Sequence, residues 1–256
     1  MANSFFKFKE FTIHQDQCGM KVTTDGCLFG ALIAEHIQKK AQPAKILDIG
    51  TGTGLLSLML AQVSDSQIDA LEIDKQAYAQ AKANFETSPW PEQLRISHLS
   101  FQHFVKDRVL PLPHVDSSNH QHLDSYDLIV CNPPFFSGHL TGKSDAKNKA
   151  VHDQDDLLKA LPQGIDGLLT QDGASFVLLP EYEMLVFSSA MRLAGLFPQK
   201  EIIVYHKAGK PVFRRVVAFG RVERDEVLTE QLYIHAGASP YSERFTQLLH
   251  PYYLHL

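Results

Sequence analysis

The sequence predicts an α/β fold, a mostly parallel sheet with helices on both faces and an antiparallel hairpin near its C-terminal end. Two observations carry that expectation. From about residue 44, short β-rich runs alternate with longer stretches of helical spacing, and parallel neighbours in such a chain need crossover helices. Later, "EIIVYHKAGKPVFRRVVAFGRV" (Glu201 to Val222) reads as two β runs joined by "KAGKP", a hairpin signal. At 256 residues the chain is long enough to bury a full core.

Taken in order, residues 1–40 read as an N-terminal lobe with one helix, roughly Leu28 to Lys39, ahead of a main domain over 41–256. "AKILDI" (Ala44 to Ile49) is the first strand of that domain, followed by glycines and then "LLSLMLAQ" with helical spacing. "QIDALEI" is the next strand, and "DKQAYAQAKANFE" is a helix rich in Ala, Lys, Gln and Glu. "LRISHL", "YDLIVC" and "ASFVLLP" are further strands. "SGHLTGKSDAKNKAVHD" (Ser137 to Asp153) reads as a mobile loop, and a helix follows over Asp153 to Leu169, kinked or broken at Pro162.

Composition narrows the function classes. A 44% hydrophobic and 21% charged chain is ordinary globular protein. Apolar runs are too short to span a bilayer, and "MANSFFKFKEF" lacks a signal-peptide core, so a cytoplasmic protein without membrane partners is expected. Cys18, Cys27 and Cys131 are far apart, which argues against a zinc knuckle or a disulfide framework. The histidines of "HVDSSNHQH" (His114 to His122) lack a ligand spacing and sit among Asp, Ser and Asn, as in an exposed loop; no metal is expected. A net charge of −5 does not suggest a general nucleic-acid binder, although a local basic face is compatible with it.

"DIGTGTG" leaves the first strand and enters a helix. Glycines at Gly50, Gly52 and Gly54 let backbone approach a ligand, and the acids Glu72 and Asp74 end the following strand, where a carboxylate can accept ribose hydroxyls. The spacing is G-x-G-x-G, not the G-x-G-x-x-G of pyrophosphate cradles. Asp48, two residues before the first glycine, would repel a phosphate and suits an ammonium group. An adenosine with an amino-acid tail fits these features: S-adenosylmethionine.

"DIGTGTG", "LEID" and "NPPF" in that order resemble the class I S-adenosylmethionine-dependent methyltransferases that act on amino groups. That resemblance implies a Rossmann-like, seven-stranded sheet ending in a hairpin. "KVTTDGCLFGA" and "YSERFTQLLHPYYLHL" look like the ends of the bacterial tRNA1(Val) adenine N6-methyltransferase family, which acts on the adenine beside the valine anticodon. The family usually has an acid after strand three, where this chain has Ser100; Phe101 is then the residue expected to stack on the cofactor adenine. "TTDG" resembles the segment that closes over the methionine end. Thr24 and Asp25 are expected either to bond there or to cap a helix, and the 1–40 lobe to cover the cofactor site.

The stiff turn "NPPF" then acquires a chemical reading. The Asn132 side-chain oxygen and the Pro133 carbonyl would accept the N–H hydrogens of a base amine, and Phe135 would stack on the base, worth about 1–3 kcal/mol. Lys143, Lys147, Arg214 and Arg215 are the candidates for tRNA phosphates. A monomer acting on adenine N6 of tRNA is the expectation. Guanine N2 of ribosomal RNA is the first alternative, and protein glutamine the second.

Overall fold

The structure is a computed structural model and describes residues 3–40, 42–109, 125–133, 145–237 and 240–256. Its centre is an eight-stranded sheet. Numbered along the chain, the strands are β3 (Lys45–Ile49), β4 (Gln67–Glu72), β5 (Leu94–His98), β6 (Tyr126–Cys131), β7 (Leu169–Leu179), β8 (Phe197–Tyr205), β9 (Val212–Gly220) and β10 (Leu228–Tyr233). Their order is β10-β8-β9-β7-β6-β3-β4-β5, and β9 alone runs antiparallel to its neighbours. The seven strands expected are present with their late hairpin. The eighth, β10, adds parallel to β8 at the edge; "LTEQLY" is half polar, and its exposed register hides it from a search for apolar runs. A separate small hairpin, β1 (Phe5–Lys7) and β2 (Thr12–His14), precedes the sheet.

Central strands are buried on both faces. Along β6, Leu128 and Val130 enter one core while Ile129 and Cys131 enter the other; β7 and β9 alternate in the same way. That is why these strands read as continuous apolar runs rather than alternating ones. One core lies under α1 (Thr24–Lys39), α2 (Leu55–Ala61) and α7 (Glu243–Leu249). The other lies under α4 (Phe101–Val109), α5 (Asp145–Leu168) and α6 (Glu181–Leu193). Helix α3 (Lys75–Glu86) follows β4, with Phe85 packed into the first core. Among the described residues no helix is long and apolar enough to cross a membrane. All three cysteines are buried and free.

Two expectations about helices need correction. Helix α1 starts at Thr24, not near Leu28, and its N-cap is Thr23, whose side chain accepts from the Gly26 N–H; Thr24 and Asp25 are its first residues. Helix α5 starts at Asp145 and runs unbroken through Pro162. Its first turns fall inside the stretch expected to be a loop. Leu161, Ile165 and Leu168 bury enough apolar surface beside Phe101 and Phe104 to outweigh the one backbone bond lost at Pro162. Residues 137–144 of that stretch, and His114 to His122, lie outside the described residues.

Charged ties hold the ends of the chain to the sheet. Arg244 of α7 donates through both terminal nitrogens to Glu35 of α1, at 2.7 and 2.8 Å, and through Nε to Glu230 of β10 at 2.9 Å. The Arg244 hydrogen bonds hold the Glu35 carboxyl down at about 2. The next residue, His36, packs edge-on against Phe176, centroids 4.8 Å apart, and burial, helped by Lys40 and Lys200, lowers its pKa to about 4. A depressed histidine means that the unfolded chain binds the proton first. Stability from His36 is therefore present above about 6.5 and drains away as pH falls toward 4. The expected contribution is about 1–2 kcal/mol once solvent screening of the half-buried ring is allowed for. In urea unfolding, the stability of His36→Gln relative to wild type should rise by that amount between pH 7 and pH 4. Taking the difference between the two pH values cancels the constant packing loss and the titrations of Glu35 and Asp48. A pH-independent difference would contradict it.

Candidate functional site

The site lies at the carboxyl ends of the parallel strands, where such sheets bind ligands. The chain leaves β3 into a loop whose three glycines all have positive φ: 71° at Gly50, 59° at Gly52 and 85° at Gly54. They do different things. A Cβ on Gly50 or Gly52 would meet nothing within 4 Å, so the backbone there faces open space. A Cβ on Gly54 would lie 2.5 Å from the Phe85 ring, so that glycine is required by the packing of α3 and not by a ligand. The loop is held from below by Glu72, which accepts from Gly52 N–H at 2.8 Å and from Asp74 N–H at 2.8 Å. Asn84, 1% exposed, donates to the Thr53 carbonyl and to the His14 carbonyl, both at 2.9 Å, and accepts from His14 N–H.

Asp48 lies behind the loop. It is wholly buried, and one carboxylate oxygen accepts from the hydroxyls of Thr51 at 2.6 Å and Ser57 at 2.7 Å. The other oxygen has no partner among the described residues. Burial raises the carboxyl to about 6, against the pull of those two hydroxyls. Asp48 thus braces the loop against α2 from behind; a β3 side chain one residue before the turn points into the first core. Asp74 is the N-cap of α3, where one of its oxygens accepts from the N–H groups of Gln76 and Ala77.

Two cavities lie at the strand ends, and the first of them borders the loop at Gly50. One, of about 580 Å³, is walled by Gly50, Leu71, Ile73, Leu99, Ser100 and Phe101 at the ends of β3, β4 and β5. Ser100 caps α4, accepting from His103 N–H, with its hydroxyl 2.7 Å from His103 Nδ1. Phe101 is 3% exposed, and its ring fills the space over Gly164 of α5, where a Cβ would come within 2.5 Å. It therefore has little face to offer a ligand. Ile73, 60% exposed, and Leu99 supply the open apolar wall, and the sequence reading missed both. Their only sequence signal is position, one at the end of each strand after the glycine strand.

The other cavity, of about 510 Å³, brings together Thr24, Asp25, Asn132, Pro133 and Arg214, drawn from three separate stretches of chain. Asn132 follows the last residue of β6 and is half-buried; its amide makes no hydrogen bond among the described residues. The amide lies against the first turn of α1: a Cβ on Gly26 would be in ordinary contact, 3.7 Å from Asn132 Nδ2. Arg214 Nε donates to Asp25 Oδ2 at 2.9 Å, which ties the start of β9 to the start of α1 across the cavity. Arg215 does not join them. As the next residue along β9 it faces the opposite side, where Glu181 and Glu201 hold its guanidinium at 2.7 and 2.6 Å. Phe135 and Lys143 lie outside the described residues, and Lys147 falls on the first turns of α5, where only the backbone is described. Among the described residues no cluster of His, Cys, Asp and Glu could hold a metal.

The residues present suit S-adenosylmethionine. An open backbone at Gly50 and Gly52, a carboxylate at Glu72 and an apolar slot beside Gly50 form a cradle for an adenosine, and the Asn132 cavity lies at the end of the strand next to β3.

Comparison with known proteins agrees with this geometry. The Methyltransferase small domain family matches residues 29–161. A tRNA1(Val) (adenine(37)-N6)-methyltransferase from Cytophaga hutchinsonii is 37% identical over 257 residues, covering 100% of both chains. One of the same name from Christiangramia forsetii is 37% identical over 258 residues, again covering 100% of each. Among solved structures, a predicted O-methyltransferase from Agrobacterium tumefaciens matches with a TM-score of 0.59 at 14% identity, covering 88% of this chain and 95% of that one. At that identity the likeness shows the fold.

Proposed function

The chain belongs to the tRNA1(Val) (adenine(37)-N6)-methyltransferase family, and from that premise we propose that it methylates the exocyclic N6 of adenine 37, beside the anticodon of tRNA1(Val). The observation that carries the chemistry is Asn132: an amide with no partner among the described residues, lining a cavity at the carboxyl end of β6, the strand beside the glycine strand β3.

Bound S-adenosylmethionine supplies the electrophile, a methyl on a positively charged sulfur that leaves with the bonding electron pair. Gly50 and Gly52 let the backbone come close to it, Glu72 accepts its ribose hydroxyls, and Ile73 and Leu99 enclose its adenine. Residues 1–40 cover its methionine end through Thr24 and Asp25.

An exocyclic base amine is a weak nucleophile because its lone pair is delocalised into the ring. Asn132 Oδ1 and the Pro133 carbonyl accept its two N–H hydrogens, which favours a pyramidal nitrogen with its lone pair free for in-line attack. Pro133 is buried and its ring fixes φ, so the acceptors are oriented before the base arrives. No general base is needed before attack, since the methylated cation loses its proton readily to water. Phe135 offers the target base a stacking face. The enzyme works as a monomer in the cytoplasm, where its tRNA is.

The test is methyl transfer from labelled S-adenosylmethionine to total tRNA from a strain lacking this activity, with the product nucleoside identified by mass spectrometry. N6-methyladenosine is expected. N2-methylguanosine, or label on protein alone, would overturn the choice of substrate.

A further inference from the structure

The Asn132 cavity opens into a second hollow. The two share His206, Phe213, Arg214 and His235, and the outer one, of about 1030 Å³, also carries Lys207, Lys210 and Pro240. It runs over the turn between β8 and β9. Among the described residues no Asp or Glu lines it, in a chain with 29 acidic and 24 basic residues. Neither Lys207 nor Lys210 makes an ion pair among the described residues.

Two exposed imidazoles line this groove, on chain segments joined there by the backbone N–H of His235 donating to the His206 carbonyl at 2.9 Å. Each is the outer end of a ring column. His206 lies on Phe213, centroids 4.0 Å apart, and the Arg214 guanidinium covers that phenyl ring at 4.3 Å. His235 lies on Tyr241 at 5.6 Å and 19°, and Tyr241 on the fully buried Phe245 at 4.8 Å and 16°. His235 is also locked by a hydrogen bond between Nδ1 and the Pro240 carbonyl. Rings held this way lose little freedom when a flat partner lands on them.

A column of rings beside unpaired lysines suits a nucleic acid whose bases are unstacked. A duplex presents only phosphates to such a surface, whereas unpaired bases offer π-faces. A base that reaches Asn132 has left its own stack, and its neighbours follow within one nucleotide's reach. We infer that this groove seats the unpaired nucleotides flanking the target base, with bases on His206 and His235 and phosphates at Lys207 and Lys210. The inference rests on the functional reading above, which makes RNA the substrate.

Fluorescence anisotropy with a labelled anticodon stem-loop RNA, and with a blunt RNA duplex of equal length, tests it. The Lys207→Ala/Lys210→Ala double variant should bind the stem-loop about tenfold more weakly, and the slope of log affinity against log salt should fall by about 1.4, for two phosphates on an unpaired strand. The His206→Ala/His235→Ala double variant should lose about tenfold for the stem-loop, at an unchanged slope and unchanged duplex affinity. Calorimetric binding of S-adenosylhomocysteine checks that each variant is folded. Wild-type stem-loop affinity and slope in both variants, or equal losses on duplex and stem-loop, overturn the groove while tRNA methylation by wild type upholds the function. A wild type that labels no tRNA overturns the functional reading and this inference with it.

Discussion

Asn132→Ala should lower kcat for methyl transfer by about 10²–10³-fold, the loss typical of removing one preorganised polar group from a reacting centre. That corresponds to about 3–4 kcal/mol of transition-state stabilisation. Cofactor affinity should stay within about twofold, because the amide makes no hydrogen bond among the described residues and its removal unties neither the glycine loop nor Glu72. Single-turnover rates with saturating tRNA, beside calorimetry with S-adenosylhomocysteine, separate the two effects. Asn132→Asp keeps the acceptor oxygen and should retain more activity than the alanine variant. An alanine variant within tenfold of wild type would remove Asn132 from the mechanism.

Asn84→Leu should be strongly destabilising. One buried amide joins the N-terminal hairpin to the cofactor loop through three backbone groups: His14 N–H, His14 C=O and Thr53 C=O. Leucine fills similar space and leaves all three without that partner, at about 1–3 kcal/mol for each group left unsatisfied. A total of about 3–5 kcal/mol lowers Tm by about 10 °C in a chain this size. Affinity for S-adenosylhomocysteine should fall as well, since Thr53 sits between two glycines of the loop. Thermal unfolding followed by circular dichroism reads the first effect and calorimetry the second. A Tm shift under about 2 °C would show that water or a relaxed backbone replaces the amide.

Neither the asparagine's importance nor the cofactor loop's bracing was legible from the sequence. Asn84 sits in "QAKANFE", where a helical asparagine looks like a solvated surface residue. Only the packing of β2 across α3 makes it a buried junction. The partners that Asp48 and Asp74 find within the fold were illegible for the same reason. Their spacing to the glycines is right for a ligand, but side-chain direction places one behind the loop and the other on a helix cap. The paired arginines illustrate the rule most simply: adjacent residues on a strand face opposite sides, so Arg214 enters the cavity and Arg215 cannot.

By itself, the sequence determined what short-range chemistry dictates. Alternating apolar runs and helical stretches set the parallel sheet, positive φ demands put glycines at the turn after β3, and two prolines end β6 beside Asn132. The order of the motifs identified the family. Tertiary structure decided which side chains meet. It chose Thr23 over Thr24 as the cap, Ile73 and Leu99 over Phe101 as the open wall, and set His206 beside His235 from strands far apart in the chain. The physical reason is that a side chain's surroundings depend on which face it occupies and what packs there, and both are long-range properties of the fold.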